Sequence, residues 1–366
     1  MRLLVQPGDG IQALIKGIAG AKRSVEIVIF RFDRSDLERA LASAVTRGVS
    51  VSALIASTNR FGEANLRKLE LRLLSVGVTV SRTASDLVRY HSKLLIVDRR
   101  ELYLLAFNLT HADIERSRSF AVISTNRDVV RDAVRLFDAD AKRVPFEGLP
   151  EKLVVSPINA RKELAAFIQG AKQSLVVYDP KVSDQAMMRL LAERAQAGVN
   201  IRVIGTVLRP IPGVTARQLP NLRLHTRSMV RDGKFAFVGS QSLREAELDA
   251  RREVGLIFRE PKLVARLLQT FDTDWAKGDG TGQKIEAADP NARIVRKFAK
   301  AVAKEMPAMT PMVNGALKQM VGDLRDVTLV SEEVEEMVRG AVKEAVKAVV
   351  MDAVEDAVER RAAVSK

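Results

Sequence analysis

The chain has 366 residues, 47% of them hydrophobic, which is enough to bury a large core in two or three domains. It contains no cysteine, which excludes disulfides, thiolate metal sites and a cysteine nucleophile. The net charge is +14, yet residues 291–366 carry 13 Lys and Arg against 12 Asp and Glu. The excess therefore lies in the body of the chain, where it favours a phosphate-bearing partner or serves solubility alone.

Helix and strand patterns alternate through the first 285 residues, and they occur twice. The segment 20–25 (GAKRSV) returns as 170–175 (GAKQSL), and 47–51 (RGVSV) returns as 197–201 (AGVNI), each 150 residues further on. In both copies the pattern predicts helix, strand, helix and strand, with a Ser-Asp pair as N-cap of the second helix. The predicted stretches are 11–18, 25–30 and 35–46 in the first copy and 164–168, 175–178 and 183–196 in the second. We predict an α/β fold of two pseudo-symmetric halves, 1–150 and 151–285, with mixed or parallel sheets flanked by helices.

After a last body helix at Pro261–Trp275, strand signals vanish, and residues 286–366 are predicted to form a helical extension. Asn291–Lys304 reads as a basic amphipathic helix that suits an anionic membrane surface. Further on, valine recurs every fourth residue from Val334 to Val358, which fits either a homo-oligomer helix or a solvated appendage. With no signal peptide and no span of about 18 apolar residues, we expect a soluble cytoplasmic protein, peripheral to a membrane at most.

Two matched segments carry the chemistry. His91-Ser92-Lys93 is followed by four apolar residues and Asp98, while His225-Thr226-Arg227 is followed by four residues and Asp232. If each segment is a strand, residues two apart share a face, so each histidine is presented beside a cation. Two such half-sites, meeting at a pseudo-dyad, supply a nucleophile, an acid and charge stabilisation for a phosphodiester without needing a metal or cofactor.

Over residues 1–280 these motifs resemble those of the phospholipase D-like family. There the motif continues with Gly-Ser-any-Asn and, eleven residues later, a carboxylate. The first half keeps Asn108 but has Ser119 at the carboxylate position; the second keeps Gly239 and Ser240, has Ser242 in place of Asn, and keeps Glu253.

The resemblance implies a phosphohistidine mechanism. It makes His91 the nucleophile and His225 the acid/base, with Glu253 orienting a histidine ring. Lys93, Arg227, Asn108 and Ser242 would hold phosphate oxygens, while Asp98 and Asp232 would anchor loops.

The leading hypothesis is a phosphodiesterase or phosphatidyltransferase that acts on phospholipid, similar to bacterial cardiolipin synthases. One alternative is an endonuclease of the same family acting on nucleic acid. Another is a phosphate-binding or scaffold protein in which Arg227, Ser242 and Ser119 mark lost activity.

Overall fold

The structure, a computed structural model, describes residues 1–57 and 63–278. Contacts divide the chain into two units, Met1–Gln283 and Lys284–Lys366. The extension predicted for residues 286–366, with its basic helix and valine stripe, lies outside the described residues.

The first half builds one mixed sheet. Its elements are β1 (Arg2–Gln6), α1 (Gln12–Gly20), β2 (Ser24–Ile29), α2 (Ser35–Thr46), β3 (Ser50–Ile55), α3 (Glu63–Ser75), β4 (Thr79–Arg82), β5 (Arg89–Tyr90), β6 (Leu94–Val97), β7 (Glu101–Leu105), α4 (His111–Glu115), β8 (Ser117–Ser124) and α5 (Arg127–Lys142). The strand order is β1-β8-β7-β6-β2-β3-β4. Strands β2, β3 and β4 run parallel, since helices connect them, and the others pair antiparallel.

The second half repeats this plan. Its elements are β9 (Leu153–Val155), α6 (Ala160–Gln169), β10 (Ser174–Val182), α7 (Gln185–Gln196), β11 (Asn200–Val207), β12 (Val214–Arg217), β13 (Arg223–Leu224), β14 (Arg227–Arg231), β15 (Phe235–Gly239), α8 (Glu245–Asp249), β16 (Arg251–Arg252), β17 (Val254–Phe258) and α9 (Pro261–Lys277). The sheet order, β12-β11-β10-β14-β15-β17-β9, is that of the first half with each strand replaced by its counterpart. The predicted fold of two pseudo-symmetric α/β halves is confirmed.

Side-chain alternation along the strands sorts the core into layers. In β6, Leu94 and Ile96 join a central cluster, while Leu95 and Val97 join a cluster with helices α1 and α2. The central cluster contains residues of both sheets together with α5 and α9, so the two halves share one core. An outer cluster of the second half lies against α6 and α7.

One local prediction, the Ser-Asp cap of the second helix in each half, holds in one half only. Helix α2 begins at Ser35 as predicted, but Arg34 occupies its N-cap position and no side chain caps it. In the second half Asp184 is the N-cap, and its carboxylate accepts from the amide of Met187. The Ser-Asp pair thus acts as a cap in one half only.

Candidate functional site

Each histidine follows a two-residue strand that pairs with the opposite half. Strand β5 pairs with β16, and the amide of His91 donates to the carbonyl of Arg252 at 2.8 Å. Strand β13 pairs with β8, and the amide of His225 donates to the carbonyl of Arg118 at 3.1 Å. This reciprocal exchange brings residues from both halves around each imidazole.

Buried ion pairs fix the strands that receive the histidines. The Arg118 guanidinium binds both oxygens of Asp274 on α9, at 2.6 and 3.0 Å. Arg252 binds Asp140 on α5 at 3.1 Å in the equivalent place. In both ion pairs the two partners are buried, and the hydrogen bonds between them are charge-assisted. They fix the backbone of Arg118 and Arg252, whose carbonyls accept the amides of His225 and His91.

The motif aspartates lie at tight turns away from the imidazoles. Asp98 (φ 52°) is in the turn between β6 and β7, and its carboxylate accepts from the amides of Lys22, Arg23 and Ser24. Asp232 (φ 52°) does the same for residues 172–174. Aspartate tolerates positive φ and can accept hydrogen bonds from several amides at once. The repeated segments 20–25 and 170–175 supply these amides, so each copy of the motif occurs with one of them.

His91 lies buried beside Glu253, which is fully buried. The Nδ1 atom of His91 is 2.9 and 3.0 Å from the two carboxylate oxygens. Because a carboxylate accepts, this contact places the proton on Nδ1 and leaves the Nε2 lone pair free. The Phe30 ring packs edge-on against the imidazole with centroids 4.5 Å apart.

His225 has a different environment. The carboxylate position that serves His91 is occupied here by Ser119, whose buried hydroxyl has no hydrogen-bond partner among the described residues. The Nδ1 atom of His225 likewise lacks a hydrogen bond among them, and Asp113 Oδ2 is 3.4 Å away. The two imidazoles are therefore inequivalent.

The predicted cations lie at the same site, though one geometric expectation was wrong. Residues 91–93 do not form a strand: they connect β5 to β6, and Lys93 curls back so that Nζ donates to the carbonyl of His91 at 2.7 Å. Arg227 begins β14 and donates to the carbonyl of His225 at 3.1 Å. In both halves the side chain of the cation donates to the backbone carbonyl of the histidine, which keeps the two residues together.

Electrostatics follow from burial in this cationic setting. Burial, then the Lys93 and Arg227 charges, hold the pKa of His91 well below its ordinary value. Burial, then Arg227 and Lys93, do the same to the pKa of His225. Burial also lowers the pKa of Lys93 to about 7 and raises that of Glu253 to about 7. Below about pH 7 the free site thus holds two neutral imidazoles beside the cations of Lys93 and Arg227.

Asn108 and Ser242 already have partners in the free protein. The Asn108 side-chain amide donates to Asp113 at 2.7 Å, which leaves its Oδ1 unpaired within the described residues. The Ser242 hydroxyl donates to Asp179 at 2.7 Å and accepts from Arg227 Nε at 3.3 Å. Ser242 therefore links a buried carboxylate to the second cation, and direct contact of either side chain with phosphate remains a prediction.

Three buried carboxylates at the site were not singled out from the sequence. Asp113 accepts the amide of Asn108, and Glu247 accepts the amide of Ser242, both at 2.8 Å. Each acid stands five residues beyond the residue it binds, so the repeat carried a signal for the pair. Asp179 has no such signal, because Ile29 stands at its place in the first half.

Comparison with known families identifies the lineage. The chain matches the family described as "Cardiolipin synthase, PLD-like domain" over residues 14–141 and 164–275. The chain belongs to this family. Its two matched stretches correspond to the two halves of the fold.

Relatives similar to this chain in sequence include polyphosphate kinases. The chain is 25% identical over 358 residues to a polyphosphate kinase of Prosthecochloris aestuarii, covering 86% of this chain and 49% of that protein. A polyphosphate kinase of Staphylococcus haemolyticus is 26% identical over 214 residues, 52% of this chain and 29% of that protein. The chain thus spans half or less of the length of these relatives.

Two solved structures share the fold. Polyphosphate kinase from Porphyromonas gingivalis superposes with a TM-score of 0.64 at 19% identity, covering 75% of this chain and 50% of that one. Phosphatidylserine synthase from Haemophilus influenzae superposes with a TM-score of 0.63 at 10% identity, covering 82% and 93%.

The described residues contain neither a metal-binding cluster nor a membrane-spanning helix. Within residues 1–57 and 63–278, no group of three or more His, Asp or Glu side chains is arranged to hold a metal ion. None of the helices in that same part of the chain is long and apolar enough to cross a bilayer.

Proposed function

We propose that the protein transfers a phosphorus-containing group through a covalent intermediate on His91, with His225 as the acid/base. The observation that carries this proposal is the inequivalence of the two imidazoles. His91 has its Nδ1 held by a fully buried carboxylate, which makes Nε2 the free nucleophilic atom. The family relationship supports the same reaction class.

The reaction has two steps. In the first, His91 Nε2 forms a bond to phosphorus as the bond from phosphorus to the leaving oxygen breaks, and His225 gives its proton to that oxygen. In the second, water or an acceptor hydroxyl gives its proton back to His225 and bonds to phosphorus, and the His91–phosphorus bond breaks. Protons and bonds balance, and each imidazole ends as it began.

The cations give the site its affinity for an anion and set the protonation needed for the first step. Burial, and after it the charges of Lys93 and Arg227, lower the pKa of both histidines in the free protein. A bound phosphate group offsets these charges, so the pKa of His225 rises and the imidazole takes up the proton that it later donates. Substrate binding thereby prepares the acid.

Two substrate classes have separate support. Phospholipid is favoured by the match to the cardiolipin synthase-type family and by the fold shared with phosphatidylserine synthase. A phosphate chain is favoured by the 25% identity to a polyphosphate kinase along most of this chain. The free site suits the phosphate group of either, since two cations and two imidazoles converge there.

The test is turnover of bis(p-nitrophenyl) phosphate with and without EDTA, followed by release of nitrophenolate. Wild type should turn over with or without EDTA, and His91→Ala should not. His111→Ala is the matched control, because His111 is the one other histidine and lies exposed at the start of α4. Turnover by His91→Ala equal to wild type contradicts the proposal. Assays on phosphatidylglycerol vesicles, polyphosphate and linear DNA then separate the substrate classes.

A further inference from the structure

The two halves supply unequal support to their histidines. By the register of the exchanged strands, Glu253 follows the residue that binds the His91 amide, and Ser119 follows the residue that binds the His225 amide. Glu253 reaches Nδ1 of His91, whereas the hydroxyl of Ser119 makes no hydrogen bond to another described residue. A serine cannot replace the charge of a carboxylate beside an imidazole.

We propose that Asp113 is the positioning residue of His225 and takes over the task that Glu253 performs for His91. Its Oδ2 atom lies 3.4 Å from Nδ1 of His225, just beyond hydrogen-bond geometry in the free protein. Among the described residues, no other carboxylate lies within 4.0 Å of that imidazole. The assignment of Asp113 to catalysis rests on the proposed function, but its effect on the ring does not.

The Asp113 carboxylate is held in place before any substrate binds. Oδ2 accepts from the backbone amide and the side-chain amide of Asn108, at 2.8 and 2.7 Å, and Oδ1 accepts from Arg223 at 2.8 Å. The residue is buried on α4, whose N-terminus is capped by Thr110. Small motion of the ring, rather than of the acid, therefore closes the 3.4 Å gap.

The contact matters because the charged neighbours with the largest effect on the pKa of His225 all oppose its protonation. Arg227, Lys93, Arg223 and His91 all face the imidazole and carry or can carry positive charge. Within the part of the chain that the structure describes, Asp113 is the one carboxylate within 4.0 Å of Nδ1. It directs Nε2 towards the site and stabilises the imidazolium that donates to the leaving oxygen.

The ring itself reports the result. The chain has three histidines, so protein labelled with ring ¹⁵N-histidine gives three imidazole signal sets, assigned with His91→Gln and His225→Gln. We expect His225 of wild type to carry its neutral-pH proton on Nδ1. In Asp113→Asn the proton should move to Nε2, and kcat should fall about 10- to 100-fold. Wild-type His225 protonated on Nε2 overturns the proposal, whatever the variant does.

Control variants separate positioning from a general loss of packing. Glu247→Gln removes the equivalent acid of the second half, whose Oε2 accepts the Ser242 amide at 2.8 Å. It should leave the His225 tautomer unchanged, and an equal shift in both variants overturns the proposal. Ser119→Asp in the Asp113→Asn background should return the proton to Nδ1. If wild type shows the expected tautomer but no turnover, the proposed function fails while the positioning contact stands.

Discussion

Above pH 7, where Glu253 is ionised, replacing it by glutamine removes one charge from the His91 side of the site and little else. Glu253 is fully buried, and its oxygens lie 2.9 and 3.0 Å from Nδ1 of His91. Glutamine keeps the shape and one acceptor, so the hydrogen bond changes from charge-assisted to neutral. The difference between those classes is about 1–2 kcal/mol, and the positive charge that develops on the ring during attack makes the loss greater in the transition state. We expect kcat to fall about 10- to 100-fold.

The melting temperature of Glu253→Gln should rise or stay unchanged. Burial raises the pKa of Glu253 to about 7, which shows that its charged form is costly in this place, and a neutral amide avoids that cost. The assay is single-turnover release of nitrophenolate, with a thermal melt on the same samples. Glu253→Ala is the contrast, because it leaves Nδ1 of His91 unpaired and should lower the melting temperature. Unchanged kcat in Glu253→Gln would refute the orienting role of this carboxylate.

Two further predictions concern charge. The pKa of Lys93 is about 7, so its cation is present below that pH and lost above it. The KM for an anionic substrate should then rise by up to about tenfold per pH unit above pH 7, and Lys93→Arg should flatten the rise; a flat wild-type profile from pH 6 to 9 would count against this. The carboxylate of Asp98 accepts from three backbone amides, and its pKa is lowered in the folded state. Its contribution to the free energy of unfolding is therefore present above pH 3.8, the ordinary pKa of aspartate, and is lost as the pH falls through the folded-state pKa. Asp98→Asn should cost about 1 kcal/mol in urea unfolding at pH 7 and less at pH 3, where part of the unfolded-state carboxyl is protonated; an equal cost at both would show that the charge is irrelevant.

The repeat explains how much of the fold could be predicted. Strands such as β6 are runs of apolar residues bounded by turn signals, and helix α2 begins and ends where its periodicity does. Both halves supply the same signals, so each supports the other. The pairing of β5 with β16 and of β13 with β8 could not be predicted, because two-residue strands have no periodicity and their partners lie in the opposite half.

The same limit applies at the site. Residues within the motif, such as His91 and Lys93, could be named from spacing, but the path between them was wrongly taken for a strand. Asp113 could have been found from its counterpart Glu247, which stands at the same distance from the motif. Asp179 could not, since its partner Ser242 is distant in sequence and no equivalent acid exists in the first half.

The central claim is a covalent intermediate on His91, and intact-protein mass spectrometry tests it most directly. The His225→Ala variant, which lacks the group that activates the acceptor, is mixed with bis(p-nitrophenyl) phosphate and measured within seconds at alkaline pH, where phosphohistidine persists. We predict one added nitrophenyl-phosphoryl mass, located on His91 by fragmentation and absent from the His91→Ala variant. An adduct on His225 in the His91→Ala variant, together with none on His91 in the His225→Ala variant, would reverse the roles of the two imidazoles. No adduct on any histidine, in a sample that releases nitrophenolate, would contradict the covalent mechanism.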